Sequence, residues 1–83
     1  MKTLGIIGGM GPEATSDLFR KIIELTPASK DQEHIPIIID NYPKIPDRTA
    51  NLLSDGEDPL PYLIRSAKLL ESAGVDAFLM PCN

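Results

Sequence analysis

The sequence contains few of the residues from which disulfides and metal sites are built. Only one of its 83 residues is cysteine and only one is histidine. A single cysteine cannot form an intrachain disulfide, which is typical of a reducing compartment, so we expect a cytoplasmic protein. A zinc site needs more cysteine and histidine ligands than these two. We therefore interpret His34, in a polar stretch just before a predicted strand, as a surface residue.

The sequence also lacks an excess of positive charge and long apolar runs. Lysine and arginine number 8 against 12 acidic residues, which gives a net charge of -4. Because phosphate binding needs clustered basic side chains, a nucleic-acid surface is not expected. The apolar run in the opening MKTLGIIGGMGPEAT is too short for a signal peptide or for a membrane span of about 20 residues. We expect neither nucleic acid nor a membrane as a partner.

Length and composition indicate one small domain. The apolar content of 42% is ordinary for a globular protein. A chain of this size buries only roughly 60–65% of the surface that its unfolded form exposes. Its stability is therefore expected to be marginal.

Short apolar runs predict three buried strands. They cover residues 3–8 (TLGIIG), 35–40 (IPIIID) and 75–80 (VDAFLM). The second run contains a proline, which a strand tolerates only near its start. A long loop follows this strand, with a possible helical turn over residues 49–53.

Apolar residues at helical spacing predict two amphipathic helices between the strands. Pro12 suits the first turn of the first helix, and Pro27 ends it. In the second helix Asp58 is a suitable N-cap, Pro59 a suitable first residue, and Gly74 follows the last turn. The apolar positions are Leu18, Phe19, Ile22, Ile23 and Leu25 in the first helix, and Leu60, Leu63, Ile64, Ala67 and Leu70 in the second.

Alternating strands and helices predict an α/β fold with a parallel sheet covered by helices in a three-layer arrangement. Right-handed crossovers allow the strand orders 1-2-3 and 2-1-3, and we favour 2-1-3, a flavodoxin-like half domain. Ligands then bind at the carboxyl ends of strands one and three, where the winding reverses. Three separate loops, at residues 8–11, 47–49 and 81–83, would gather there.

The glycine-rich turn after the first strand allows two interpretations. Residues 9–14 (GMGPEA) match the dinucleotide fingerprint G-x-G-x-x-A between a strand and a helix. However, Pro12 removes an amide, Glu13 brings a carboxylate, and the ribose-binding acid would have to be Asp40, which comes late. We favour a tight turn that requires glycine dihedrals and binds at most a small anion.

Two further residues are candidates for chemistry. Arg48 is either a solvated surface residue or a carboxylate clamp, because a guanidinium makes paired hydrogen bonds to a carboxylate. Cys82 either packs as a small hydrophobe or acts as a base or nucleophile at the carboxyl end of a strand. The residues alone leave both alternatives open.

Three motifs in this order, GIIGGMGPEAT, PDRT and MPCN, resemble the aspartate racemase branch of the aspartate/glutamate racemase superfamily. The resemblance extends over all 83 residues and implies a racemase-like half domain with the strand order 2-1-3. The glutamate racemase branch has an Asp-Ser pair before a glycine-rich turn after its first strand. Here that region reads IGGM, at residues 7–10, which argues against that branch.

The resemblance implies a cofactor-independent isomerase. One thiolate removes the α-proton of an amino acid, and a thiol on the opposite face returns a proton. The implied substrate is a small acidic amino acid. The matching positions are Cys82 as the first cysteine, Asp47, Arg48 and Thr49 in the loop that binds the substrate carboxylate, and Met10 and Asn83 in the pocket.

The resemblance also implies a larger catalytic unit. The family has two similar α/β halves, with the second cysteine in the later half, and its motif continues as P-C-N-T. We therefore expect residues 1–83 to be the amino-terminal part of the first domain of a two-domain racemase, whose second domain is absent here. The chain alone is then expected to be inactive and to need a carboxyl-terminal half or a homo-oligomer partner. The alternatives are a truncated Rossmann-like nucleotide-binding module using residues 9–14, and an inactive interaction fragment.

Overall fold

The computed structural model describes residues 2–47 and 56–81, and in this part of the chain three strands alternate with two long helices. The elements in chain order are strand β1 at Leu4–Gly8, helix α1 at Pro12–Leu25, a single 3-10 turn at Asp31–Glu33, strand β2 at Ile37–Asn41, helix α2 at Leu60–Ser72 and strand β3 at Ala77–Leu79.

The three strands form one parallel sheet in the order β2-β1-β3. This confirms the predicted α/β class and the 2-1-3 order. Ile6 of β1 lies in register with Ile39 of β2 and with Leu79 of β3, and it is fully buried. Helix α1 packs against β1, and α2 packs against β1 and β2. Strand β1 therefore lies at the centre of the described structure.

Strands β2 and β3 start two residues later than their predicted runs, and β1 starts one residue later. The proline at position 36 has no N–H, but its carbonyl accepts a hydrogen bond from the Leu4 amide at 2.9 Å, and the ladder begins only at Ile37. Val75 lies beyond the end of α2, and its N–H donates to the Leu70 carbonyl in the last turn of that helix at 3.3 Å. Strand β3 is consequently limited to three residues.

The predicted helix ends largely agree with the structure. Helix α1 stops at Leu25, two residues before Pro27. The Asp58 carboxylate accepts a hydrogen bond from the Leu60 amide at 2.9 Å, and α2 begins at Leu60, one residue later than predicted. After α2, Gly74 has a φ of 90°, the left-handed conformation in which glycine commonly terminates a helix.

The apolar faces of the helices are less buried than the sequence pattern suggests. Leu70 is only 1% exposed, but Phe19 is 38% exposed and Ile64 is 44% exposed. The described residues therefore do not cover these faces. The other large apolar side chains that remain exposed on the helices and β3 are Ile23, Leu25, Leu60, Leu69, Phe78 and Leu79.

Within residues 2–47 and 56–81, neither helix combines the length and the apolar character needed to cross a membrane. The same residues contain no cluster of three or more side chains that could hold a metal ion.

Candidate functional site

The candidate site lies at the carboxyl edge of the parallel sheet. Met10 follows β1 and is half-buried, while Asp47 follows β2 and is exposed. Only these two of the predicted site residues fall within the described part of the chain. The other four, Arg48, Thr49, Cys82 and Asn83, lie outside the described residues.

The turn between β1 and α1 is fixed by close contacts that only glycine permits. At Gly9, φ is 109°, and a Cβ atom would lie 2.2 Å from the Tyr42 carbonyl oxygen. At Gly8, a Cβ atom would lie 2.5 Å from the Thr15 side chain. The turn therefore packs directly against the first residue after β2 on one side and against α1 on the other. This packing sets the position of Met10, the next residue along the chain.

The buried Thr15 hydroxyl links the turn to the helix. It accepts a hydrogen bond from the Gly9 N–H at 3.0 Å and donates one to the Gly11 carbonyl at 3.0 Å. We did not predict this role for Thr15 from the sequence. A threonine four residues after the N-cap glycine of a helix can donate its hydroxyl hydrogen to the carbonyl of that glycine, and this spacing was a signal that could have indicated it. Across the sheet edge, the Tyr42 N–H donates to the Gly8 carbonyl at 3.3 Å.

These contacts disfavour the dinucleotide interpretation of residues 9–14. The Gly9 amide is bonded to Thr15, and Pro12, the first residue of α1, has no amide to offer a phosphate. Asp40, the only candidate for a ribose ligand, has a side chain that is 15% exposed and accepts a hydrogen bond from the Ser66 hydroxyl at 2.5 Å. The tight-turn interpretation agrees with this geometry.

A second cluster connects the end of β2 to α2. The Arg65 guanidinium lies 3.3 Å from the Asp40 carboxylate, and its Cζ lies 4.3 Å from the centre of the Tyr42 ring. The Tyr42 and Tyr62 rings stack with their centres 6.3 Å apart and their planes 19° from parallel. The Tyr62 hydroxyl in turn donates a hydrogen bond to the Glu57 carboxylate, which raises the pKa of Tyr62 above its ordinary value.

The segment that carries Asp47 is held at a buried isoleucine. Ile45 is 8% exposed, although Pro43 and Lys44 before it are exposed. The backbone is therefore attached to the protein two residues before Asp47. Sequence patterns did not single out Ile45, because one apolar residue in a proline-rich loop has no periodic neighbours.

A separate groove lies near the amino end of β2, away from the candidate site. It has a volume of about 330 Å³ and includes His34, which is half-buried rather than fully at the surface as expected. The groove is lined by Phe19, Ile22, Ile23, Thr26, Asp31, His34, Ile35 and Ile37. Among the described residues its lining is mainly apolar and contains no arginine or lysine.

Known proteins resemble this chain in both sequence and fold. Residues 7–83 match the family described as Asp/Glu/Hydantoin racemase. Among solved structures, Picrophilus torridus aspartate racemase matches with a TM-score of 0.93 and 40% sequence identity. The match covers 99% of this chain and 36% of that protein, so the chain spans little more than a third of its relative's length.

Proposed function

The chain belongs to the Asp/Glu/Hydantoin racemase family, and we propose that it is the amino-terminal part of a cofactor-independent amino-acid racemase. The observation that carries the proposal is the 40% identity to an aspartate racemase across essentially the whole chain. The β2-β1-β3 sheet supports it, because this order brings the turn after β1 and the segment after β2 to one edge. We propose a small acidic amino acid as the substrate.

In the proposed reaction the Cys82 thiolate removes the α-proton from one face of the substrate. An S–H bond forms as the C–H bond breaks, and the electron pair delocalises towards the α-carboxylate. A second thiol then donates its proton to the opposite face, which inverts the α-carbon and leaves that sulfur as a thiolate. Thiols suit both steps because their ordinary pKa lies close enough to neutrality for base and acid roles.

The remaining predicted residues bind the substrate in this proposal. Arg48 makes paired hydrogen bonds to a substrate carboxylate and stabilises the charge that develops there during proton removal. Asp47 and Thr49 flank this contact, and Met10 and Asn83 complete the pocket. A local cation is needed because the chain carries a net charge of -4, which disfavours an anionic substrate at long range.

The second thiol comes from outside these 83 residues, because Cys82 is their only cysteine. We propose that residues 1–83 are part of the first α/β domain and that a second domain supplies the other thiol. Two observations support a larger unit. The relative's matched region is 36% of its length, and apolar side chains such as Phe19, Ile64 and Phe78 are exposed here. A further part of the protein that covered these side chains would stabilise the fold by about 25 cal/mol for each Å² of apolar surface that it buried.

The proposal is tested by measuring racemisation in the full-length protein that carries these residues. Circular dichroism should show L-aspartate losing its optical signal, with L-alanine as the comparison that lacks the side-chain carboxylate. Cys82→Ser should abolish the loss, and the 83-residue chain alone should show none. Racemisation that survives Cys82→Ser would contradict the proposed chemistry. Activity of the 83-residue chain would contradict the need for a second thiol.

A further inference from the structure

We propose that Tyr42, Tyr62 and Arg65 form a positioning element for the segment that follows β2, and we call these three residues the tyrosine anchor. The inference rests on the proposed function, because that segment leads to the proposed substrate contact at Asp47. The anchor does not touch the substrate. It acts by holding the backbone from which the substrate contact projects.

The anchor holds the segment at Tyr42, the first residue after β2. Strand β2 ends at Asn41, so Tyr42 is the point at which the chain leaves the sheet. Its ring stacks on Tyr62 at 6.3 Å and lies 4.3 Å from the Arg65 guanidinium carbon. Tyr62 and Arg65 are three residues apart on α2, which places them on one face of the helix. Two side chains of a regular helix therefore hold one ring of the departing chain.

Tyr62 also contacts the other end of the connection between β2 and α2. Glu57 lies near the end of this connection, and its carboxylate accepts the hydrogen bond from the Tyr62 hydroxyl. Tyr62 thus contacts both Tyr42 at the start and Glu57 close to the end. Both described ends of the connection are therefore held against the first turns of α2.

A partly buried polar pair, Asp40 and Ser66, holds Arg65 in place. Asp40, the fourth residue of β2, accepts a hydrogen bond from the Ser66 hydroxyl at 2.5 Å and lies 3.3 Å from Arg65. Ser66 is fully buried, so the carboxylate is fixed by a side chain that cannot move freely. The guanidinium therefore has a defined partner in the sheet as well as the Tyr42 ring. An arginine bound at two points is less free to leave the ring.

The anchor also reaches the glycine turn on the other side of the crevice. The backbone of Tyr42 lies so close to Gly9 that a Cβ there would be 2.2 Å from its carbonyl oxygen, and its N–H is bonded to Gly8. One residue thus sets the spacing between the turn that carries Met10 and the segment that carries Asp47. If Tyr42 shifts, both proposed substrate-contacting regions shift with it.

Loss of the anchor should affect the position of residues 42–47 more than the free energy of unfolding of the whole protein. The Arg65 side chain is 44% exposed, so its removal uncovers little apolar surface. A cation near an aromatic ring at an exposed site typically changes a local equilibrium by about two- to fivefold. The expected signature is faster local opening of residues 42–47, together with weaker substrate binding, at an unchanged unfolding midpoint.

The experiment uses a matched pair of variants in the full-length protein, Arg65→Gln and Lys68→Gln. Both remove one positive charge from α2, but Lys68 makes no ion pair or hydrogen bond with the described residues. Amide hydrogen exchange at the four non-proline residues of 42–47 reports the anchor directly, above all at Tyr42, whose N–H donates to the Gly8 carbonyl at 3.3 Å. Steady-state kinetics with L-aspartate report its consequence. Urea unfolding reports global stability.

Arg65→Gln should speed exchange over residues 42–47 by about two- to fivefold and raise KM by more than it lowers kcat. Lys68→Gln should change neither quantity. Tyr62→Phe, which keeps the stacked ring but loses the bond to Glu57, should also speed exchange over residues 56–59. Each of these results supports the anchor.

Unchanged exchange in Arg65→Gln would overturn the anchor, as would faster exchange with an unchanged KM. An equal effect of Lys68→Gln would overturn it too, because that effect would belong to helix charge alone. Arg48→Ala in the same assay separates the two proposals. If Arg48→Ala impairs catalysis while Arg65→Gln does not, the anchor is wrong and the proposed function stands. If Arg48→Ala has no effect, the proposed carboxylate contact is wrong.

Discussion

Replacing Gly9 by alanine should be far more damaging than the same change at two other glycines. Gly9 combines a φ of 109° with a Cβ position only 2.2 Å from the Tyr42 carbonyl oxygen. Gly74 has a φ of 90°, but no atom of the described residues lies within 4 Å of its Cβ position. Gly11 has a φ of -98°, and its Cβ position is also clear of every atom in the described part of the chain. The three sites thus separate backbone strain from steric collision.

The expected costs follow from these two terms. A left-handed backbone costs an L-residue roughly 1–2 kcal/mol, which is the whole effect expected for Gly74→Ala. At Gly9 the colliding atom belongs to the backbone and cannot rotate away, and overpacking of this kind adds roughly 1–3 kcal/mol. Gly9→Ala should therefore cost about 2–5 kcal/mol in total. Gly11→Ala changes only an N-cap residue, and it should stay within about 1 kcal/mol of the parent protein.

Urea unfolding of the three variants of the full-length protein measures these differences as shifts in midpoint at constant slope. The order of destabilisation should be Gly9→Ala, then Gly74→Ala, then Gly11→Ala. A loss in Gly9→Ala that is no larger than in Gly74→Ala would refute the steric argument. It would mean that the segment at Tyr42 moves aside freely, which is incompatible with its role in spacing the two sides of the crevice.

Three further predictions concern single contacts. Arg48→Lys should lose about 2–4 kcal/mol of transition-state stabilisation, measured from kcat/KM for L-aspartate, because an ammonium cannot make the paired contact. Thr15→Val should cost about 1–3 kcal/mol in urea unfolding, because the buried Gly9 amide loses its acceptor, whereas Thr15→Ser keeps the hydroxyl and should lose less. The hydrogen bond to Glu57 raises the pKa of Tyr62 above 10.0 in the folded protein. The stability that this hydrogen bond adds is therefore fully present below pH 10.0, and it is lost as the pH rises through the raised pKa of the folded state. Tyrosinate absorbance of the parent minus Tyr62→Phe should show the raised pKa, and Glu57→Gln should return it towards 10.0.

The elements of the fold were predictable because their signals are local. The apolar run at Leu4–Gly8, the proline at position 12 and the glycine at position 74 each act within a few residues, and the structure places a strand, a helix start and a helix end there. The family was also predicted correctly, because its three motifs occur in the expected order. The extent of burial was not predictable, since spacing identifies the apolar face of a helix but not whether anything covers it.

The candidate site was only partly predictable, because its support depends on contacts between distant segments. The predictions for Met10 and Asp47 came from the turn motif and the loop motif, and the structure places both residues at the carboxyl edge of the sheet. Nothing in the sequence paired Asp40 with Ser66, or Tyr42 with Arg65, because residues more than twenty positions apart have no common period. Such pairs arise only when the crossover brings α2 back onto β2. The roles of all the predicted site residues remain predictions; they are Met10, Asp47, Arg48, Thr49, Cys82 and Asn83.

The most direct test of the central claim is proton exchange at the substrate α-carbon. The full-length protein is incubated in deuterium oxide with L-aspartate or D-aspartate, and NMR follows the α-proton. If Cys82 serves one face, Cys82→Ser should abolish racemisation, and the remaining thiol should exchange the α-proton of one enantiomer only. Undiminished racemisation by Cys82→Ser, or equal exchange of both enantiomers at the parent rate, would contradict the account.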